Sequence, residues 1–367
     1  MADSSAQSTD HPVKSKSIRP NSISDRRKRK YRIIVCAVTS LIGAGIILVV
    51  LNQQSRLVFD PVTNSIKLQQ SPTYLFEPDH QVNGHKYIHD SVLGWRNIPN
   101  WQSTTFGQKL TINSKGLRDR EYPYKKPANV RRILVLGDSY TWGYGVADNE
   151  VFTEVIEDDL QENNSTWEVL NTGVSGWGTD QEYLFLMNEG FKYSPDIVVL
   201  AFFIVNDPAN NVSPSQYGLH KPMFLNTKLE LANTPVPLPR SQGSNIWAEA
   251  GPIELTIAIM KEMERACSQH ACQLVVMKFG RFLLPKNTKI AKEDQLIKTA
   301  VTKQLRVPYL DLDEQYRERE ITPNELLHGN NDGHWNAFGH RKTAEILHQF
   351  LIDSGLVLPE TNKTLAP

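Results

Sequence analysis

From about residue 130 onward the apolar positions fall into an alternation of two periods. Short continuous apolar runs, Ile133–Leu136, Glu168–Leu170, Ile197–Phe203, Leu274–Met277 and Tyr309–Leu312, predict strands. Between and after them, spacings of three and four predict helices over Val151–Asn163, Asp180–Glu189, Ile253–Ser268, Lys292–Gln304 and Ala337–Leu351. Strands that are apolar throughout and alternate with helices imply a parallel sheet covered on both faces. The expected class is therefore α/β, a three-layer α/β/α sandwich with a mostly parallel sheet. Residues 208–250, rich in Pro, Asn and Ser, break the alternation and read as one long loop of the kind that binds ligands or covers a site.

The pattern before residue 130 is different. Pieces such as Arg56–Phe59 and Lys109–Ile112 alternate with Pro, Asn and Gly, and the stretch carries Trp95, Trp101 and Phe106. That is too aromatic for a disordered stalk and predicts a small strand-rich extension packed on the main domain. Further upstream, Ile33 to Leu51 holds no charged residue over 19 positions. As a helix it would be roughly 28 Å long, close to the hydrocarbon thickness of a bilayer. The pattern thus divides the chain into a tail (1–32), a transmembrane helix (33–51), the extension (52–129), the α/β domain (130–355) and a C-terminal tail (356–367).

Charge sharpens this division. The 367 residues have a formal net charge of zero, but residues 1–32 hold nine Lys/Arg against Asp3, Asp10 and Asp25. A basic run could bind nucleic acid. Followed at once by an uncharged apolar span, it instead marks the cytoplasmic flank of a membrane helix, so no nucleic-acid partner is expected. A cleavable signal peptide is disfavoured by the long basic lead and by Leu51-Asn52-Gln53-Gln54, which offers no small-x-small cleavage pattern. The expected location is the cell membrane, single-pass, with the N-terminus cytoplasmic, residues 33–51 in the lipid bilayer and everything after Leu51 extracytoplasmic. In an oxidising compartment, Cys267 and Cys272, five residues apart, suggest a small disulfide clip. The alternative is two buried thiols.

Chemistry-bearing residues sit where the elements end. The first strand runs into Gly137-Asp138-Ser139-Tyr140, with Gly143 and Gly145 close behind. A strand ending in a tight turn presents Ser139 at the carboxyl edge of the sheet, where open α/β sheets bind ligands. Much later, Asn331-Asp332-Gly333-His334 precedes the last helix. Serine, histidine and a carboxylate are the parts of a nucleophilic hydrolase whatever their chain order.

Four blocks in order carry a family resemblance over roughly residues 130–355. Gly137-Asp138-Ser139-Tyr140, Asn171-Thr172-Gly173-Val174-Ser175-Gly176, Val205-Asn206-Asp207 and Asp332-Gly333-His334 together resemble the SGNH/GDSL hydrolases. The resemblance implies a flavodoxin-like SGNH fold and a catalytic set of Ser139, His334 and Asp332. It implies an oxyanion hole from the N–H groups of Ser139 and Gly176 and the side-chain amide of Asn206. Neither metal nor organic cofactor is implied. Two positions depart from the usual pattern: Ile204 stands where the third block commonly has glycine, and Asp332 lies two rather than three residues before His334. The shorter spacing also occurs in a branch resembling polysaccharide O-acetylation enzymes.

The expected function is a serine esterase acting on a small-molecule or glycan acyl ester, such as acetyl groups on carbohydrate or cell-envelope glycans. Alternatives are an O-acyltransferase acting on a cell-surface polysaccharide with the same triad, and a catalytically silent, membrane-tethered carbohydrate-binding domain. A metal site built from His328, Asp332, His334 and His340 is a rival use of those side chains, one that would leave Ser139 and Gly176 unexplained. Asp138 reads as a brace of its turn, Asp207 as structural and His340 as a packing or surface residue.

Overall fold

The computed structural model describes residues 87–357 apart from 163–165, 239–245, 285 and 330–331, together with residue 30 and the strands Ser55–Asp60, Ser65–Gln70 and Tyr74–Leu75. The chain forms two compact units, Met1–Pro72 and Thr73–Pro367. In the first, Ser55–Asp60 and Ser65–Gln70 pair as an antiparallel hairpin with Ser55 opposite Gln70. The expected transmembrane span 33–51 lies outside the described residues, among which no helix is long and apolar enough to cross a membrane.

In the second unit, β1 (Arg131–Leu136), β2 (Trp167–Asn171), β3 (Ile197–Phe203), β4 (Gln273–Phe279) and β5 (Tyr309–Asp311) form one sheet. Every neighbouring pair is parallel, in the order β5-β4-β3-β1-β2. Side chains alternate between faces along each strand. Leu134, Leu136, Val198, Leu200, Phe202, Leu274 and Val276 enter one core; Ile133, Val135, Ile197, Val199, Phe203, Val275 and Met277 enter the other.

Each face is closed by helices. α1 (Phe152–Glu162), α5 (Leu312–Glu318) and α6 (Ala337–Asp353) bring Phe152, Ile156, Tyr316 and Leu347 to the second core. α2 (Thr179–Asn188), α3 (Pro252–Gln269) and α4 (Thr288–Thr299) bring Leu186, Ile259, Met263 and Ile297 to the first. Burying such a side chain contributes about 1.5–3 kcal/mol, so two cores of this size hold the sheet between its layers.

Boundaries differ from the periodic pattern where a side chain caps a helix. The last strand stops at Asp311 because its carboxylate accepts the N–H of Glu314 and starts α5 at Leu312. α4 begins at Thr288, earlier than the pattern indicates, because the Asn287 side chain accepts from Lys289 and Ile290. Residues 208–250 are not one unstructured loop. They contain the hairpins Ser215–Gln216/Leu219–His220 and Met223–Phe224/Leu231–Ala232. The disulfide clip is also corrected: Cys267 and Cys272 are buried free thiols, and the Cys272 Sγ donates to the Cys267 carbonyl at 3.4 Å.

Candidate active site

With this strand order, the sheet's crevice opens between β1 and β3, whose connections leave in opposite directions. β1 ends at Gly137, and the carboxylate of Asp138 accepts the N–H of Tyr140 at 3.0 Å, capping the single turn Ser139–Trp142. Ser139 is thereby fixed at the strand's edge. β3 ends a few residues before Asn206, and the loop after β2 supplies Gly176, so all three connections meet at one end of the sheet.

His334 reaches this point from the loop before α6. Its Nε2 lies 2.8 Å from the Ser139 Oγ, and its Nδ1 lies 2.8 Å from Asp332 Oδ1. The same Asp332 oxygen also accepts the backbone N–H of His334 at 2.8 Å, which explains how a spacing of two residues lets the carboxylate reach the ring. Opposite bonds hold the loop: the Tyr140 hydroxyl donates to the Gly333 carbonyl, and the His328 N–H donates to the His334 carbonyl at 3.0 Å. Tyr140 therefore ties the residue after the serine to the residue before the histidine. Its burial pushes the phenol well up, so it stays a neutral donor.

Electrostatics follow the same contacts. Partial burial would raise Asp332, but hydrogen bonds from the His334 ring and backbone outweigh it and hold the carboxyl below its usual range. It is an anion beside the imidazole. His328 is lowered, chiefly by burial, and so stays neutral.

The neighbourhood of Ser139 is rich in donors. Neither the Ser139 N–H nor the Gly176 N–H has a partner among the described residues. Asn206 Nδ2 donates one hydrogen to Asp138 Oδ2 at 3.1 Å, which fixes the amide beside the residue that precedes the serine and leaves its second hydrogen available. Asp138 thus braces its own turn and orients Asn206. Ile204, at the position that departs from the family pattern, is buried, and its N–H bonds the Phe279 carbonyl at 3.1 Å. The loop therefore accepts a large side chain by turning it into the core. Gly176 has φ +78°, and a Cβ there would lie 2.3 Å from the Tyr217 ring. Glycine is required for both reasons.

The four residues weighed as metal ligands do not converge. His340 is buried and its Nδ1 accepts the Phe152 N–H at 3.3 Å, while both ring nitrogens of His334 face Asp332 and Ser139. Among the described residues no group of three or more His, Cys, Asp or Glu is arranged to hold a metal ion. Asp207 Oδ2 accepts the Phe203 N–H at 2.9 Å, a turn brace.

Several residues that shape this site escaped the sequence reading. Trp95 donates to the Ser175 carbonyl at 3.1 Å, and Trp177 returns a bond to the Trp95 carbonyl at 3.0 Å. Asn97 bridges the Gly173 carbonyl and the Trp142 indole. Buried Arg118 donates to the carbonyls of Trp142, Gly143 and Val146. Residues 87–118 thus lock the loops that carry Gly176 and Ser139. Beside His334, the Tyr144 ring lies 4.3 Å away, and Phe106 stacks on His328 with ring centroids 5.2 Å apart. An aromatic residue at a hairpin tip, as in Thr105-Phe106-Gly107, was the one available signal.

Residues 135–342 match the GDSL-like Lipase/Acylhydrolase family. No curated protein matches the chain. Among solved structures, the chain is similar to a lipase/acylhydrolase from Enterococcus faecalis, at 18% identity and TM-score 0.42 over 63% of this chain and 100% of that one. It is also similar to a variant of an acetyl xylan esterase from Geobacillus stearothermophilus, at 14% identity and TM-score 0.41 over 60% and 94%. A third structure, TesA, matches at 12% identity and TM-score 0.43 over 60% and 98%.

Proposed function

This chain belongs to the GDSL-like lipase/acylhydrolase family and is a serine hydrolase of the SGNH type, and from that premise we propose that it cleaves O-acyl esters through an acyl-serine intermediate on Ser139. The observation that carries the assignment is the unbroken chain of 2.8 Å contacts from Ser139 Oγ through His334 to Asp332. With Nδ1–H donating to Asp332, the Nε2 lone pair faces the serine hydroxyl. Ser139 Oγ attacks the ester carbonyl as its proton passes to Nε2, and the C=O electron pair moves onto oxygen. The N–H groups of Ser139 and Gly176 and the free N–H of Asn206 receive that oxyanion. As the tetrahedral centre collapses, the C–O bond to the alcohol breaks and His334 returns the proton to the leaving oxygen. Water then attacks the acyl-serine by the same steps.

We take water as the acceptor; the His334 side chain keeps 26% of its surface exposed, so solvent reaches the imidazole. For the alcohol we favour a glycan outside the cell. The basic run before Ile33 and the uncharged stretch to Leu51 support a cytoplasmic N-terminus, a bilayer span and an extracytoplasmic catalytic domain.

One experiment tests chemistry and placement together. A membrane-impermeant fluorophosphonate should label the wild-type chain on intact cells. Ser139→Ala should abolish both labelling and p-nitrophenyl acetate turnover without changing the circular dichroism spectrum. His334→Ala should lose nearly as much turnover, because triad members act as a unit. Labelling only after lysis would overturn the placement and leave the chemistry. Turnover that persists in Ser139→Ala would overturn the nucleophile, and no labelling at all would favour the silent carbohydrate binder.

A further inference from the structure

The hairpin Ser215–Gln216/Leu219–His220 carries a residue that touches the candidate site. Gln216 pairs with Leu219, so Tyr217 and Gly218 form a two-residue turn, with φ +52° and +74°. Turns of this type call for Asn-Gly; a tyrosine at positive φ is sterically unfavourable and persists only where its surroundings hold it.

The surroundings do hold it. Leu219 is buried in the core. Lys221 is fully buried, donates to the Asp180 carboxylate, and bonds the carbonyls of Asn210 at 3.1 Å and Pro222 at 3.0 Å. From the other side, Asn233 Nδ2 donates to the Lys221 carbonyl at 2.5 Å.

The strained turn sets the Tyr217 ring against Gly176, its Cε2 2.3 Å from where a Cβ would stand, yet leaves the residue 52% exposed. The ring thus closes on the glycine that offers an oxyanion donor, while about half of the residue stays open to solvent. Around the tetrahedral carbon the directions are limited. The oxyanion points to the N–H groups, and the alcohol must leave on the His334 side, where Nε2 delivers its proton and Tyr144 lies alongside. The acyl substituent is left with the side bounded by Gly176 and Tyr217.

We propose that Tyr217 is the wall of the acyl subsite and restricts the enzyme to short acyl groups of acetyl size. The inference rests on Ser139 being the nucleophile. A rigid aromatic ring blocks extension of an acyl chain beyond the first carbons, whereas a flexible side chain would yield. On the His334 side the Tyr144 ring lies 4.3 Å from the imidazole.

The test is the ratio of kcat/KM for p-nitrophenyl octanoate to that for p-nitrophenyl acetate. Tyr217→Gly removes the ring and suits the left-handed backbone, so it should fold; the ratio should rise at least about tenfold over wild type. Tyr217→Asn, which also tolerates positive φ, should raise it likewise, while Tyr217→Phe keeps the ring and should hold the wild-type ratio. Ratios within about twofold of wild type in both ring-less variants, with Ser139 still labelled by fluorophosphonate, would overturn the wall alone. An unlabelled Ser139 in wild type would overturn the nucleophile, and the wall with it.

Discussion

At the scale of single residues the site depends on one amide being aimed. Asn206 is held beside the serine's turn because Asp138 Oδ2 accepts one of its hydrogens, while its own Oδ1 is buried without a partner among the described residues. Removing the donor by Asn206→Ala should cost about 10²–10³ in kcat with little change in KM, the mark of a group that acts on the transition state. Asp138→Asn should lower kcat as well, by a smaller factor, because an amide there no longer dictates which way Asn206 faces. Steady-state kinetics on p-nitrophenyl acetate decides both, and an equal loss through KM would show that the pair binds substrate instead. The four motif blocks contained Ser139, Gly176, Asn206, Asp332 and His334, so the groups that meet at the candidate site were legible as residue types in order. Asp138's hold on Asn206 was not, since it joins positions 68 apart and requires the sheet to exist.

At the scale of elements, the five strands and their helices follow from period alone because a parallel strand buried on both faces must be continuously apolar. Ile197–Phe203 is the clearest case and lies where the pattern puts it. The region before β1 was legible only as strand-rich. Its function in the fold is carried by side chains that reach across the chain, such as Trp95 and Asn97, which no local pattern encodes. Trp95 is fully buried and bonds the loop of Gly176. Trp95→Ala should therefore cost about 3–5 kcal/mol of stability, read from denaturant or thermal unfolding. Asn97→Ala removes the bridge between that loop and Trp142, which adjoins the nucleophile turn, and should reduce kcat more than it reduces stability. A loss of stability with kcat unchanged would show that the extension only supports the fold. The segment 208–250 reads as one long loop by length and composition, whereas it holds two hairpins and is anchored by Lys221, a buried lysine that composition would have placed at the surface.

Across the whole molecule, charge is buried beneath the donor loops to an unusual degree. Asp138, Asp180, Glu182 and Asp207 are all fully buried there, and Asp180 is paired with the buried cation Lys221. Asp138 accepts two hydrogen bonds, but among the described residues both oxygens of Glu182 are without partners. Burial first, and then the neighbouring Asp138 and Asp180, push Glu182 well above the usual carboxylate range, and Asp207 is raised by burial and by Glu182 in turn. The sign of the consequence is the reverse of that for a salt-bridged acid. Above the ordinary carboxylate pKa the unfolded chain has released this proton while the folded chain still holds it, so stability falls as pH rises toward the folded value. Asp332, lowered by its bonds to His334, works the opposite way: its contribution is present at neutral pH and is lost on acidification. Glu182→Gln fixes the neutral form. The melting temperature of the variant relative to wild type should therefore increase as pH rises above the ordinary carboxylate range, by a few degrees for each kcal/mol recovered. A difference that stays constant with pH would mean that Glu182 is already ionised in the folded chain and that an unseen partner satisfies it.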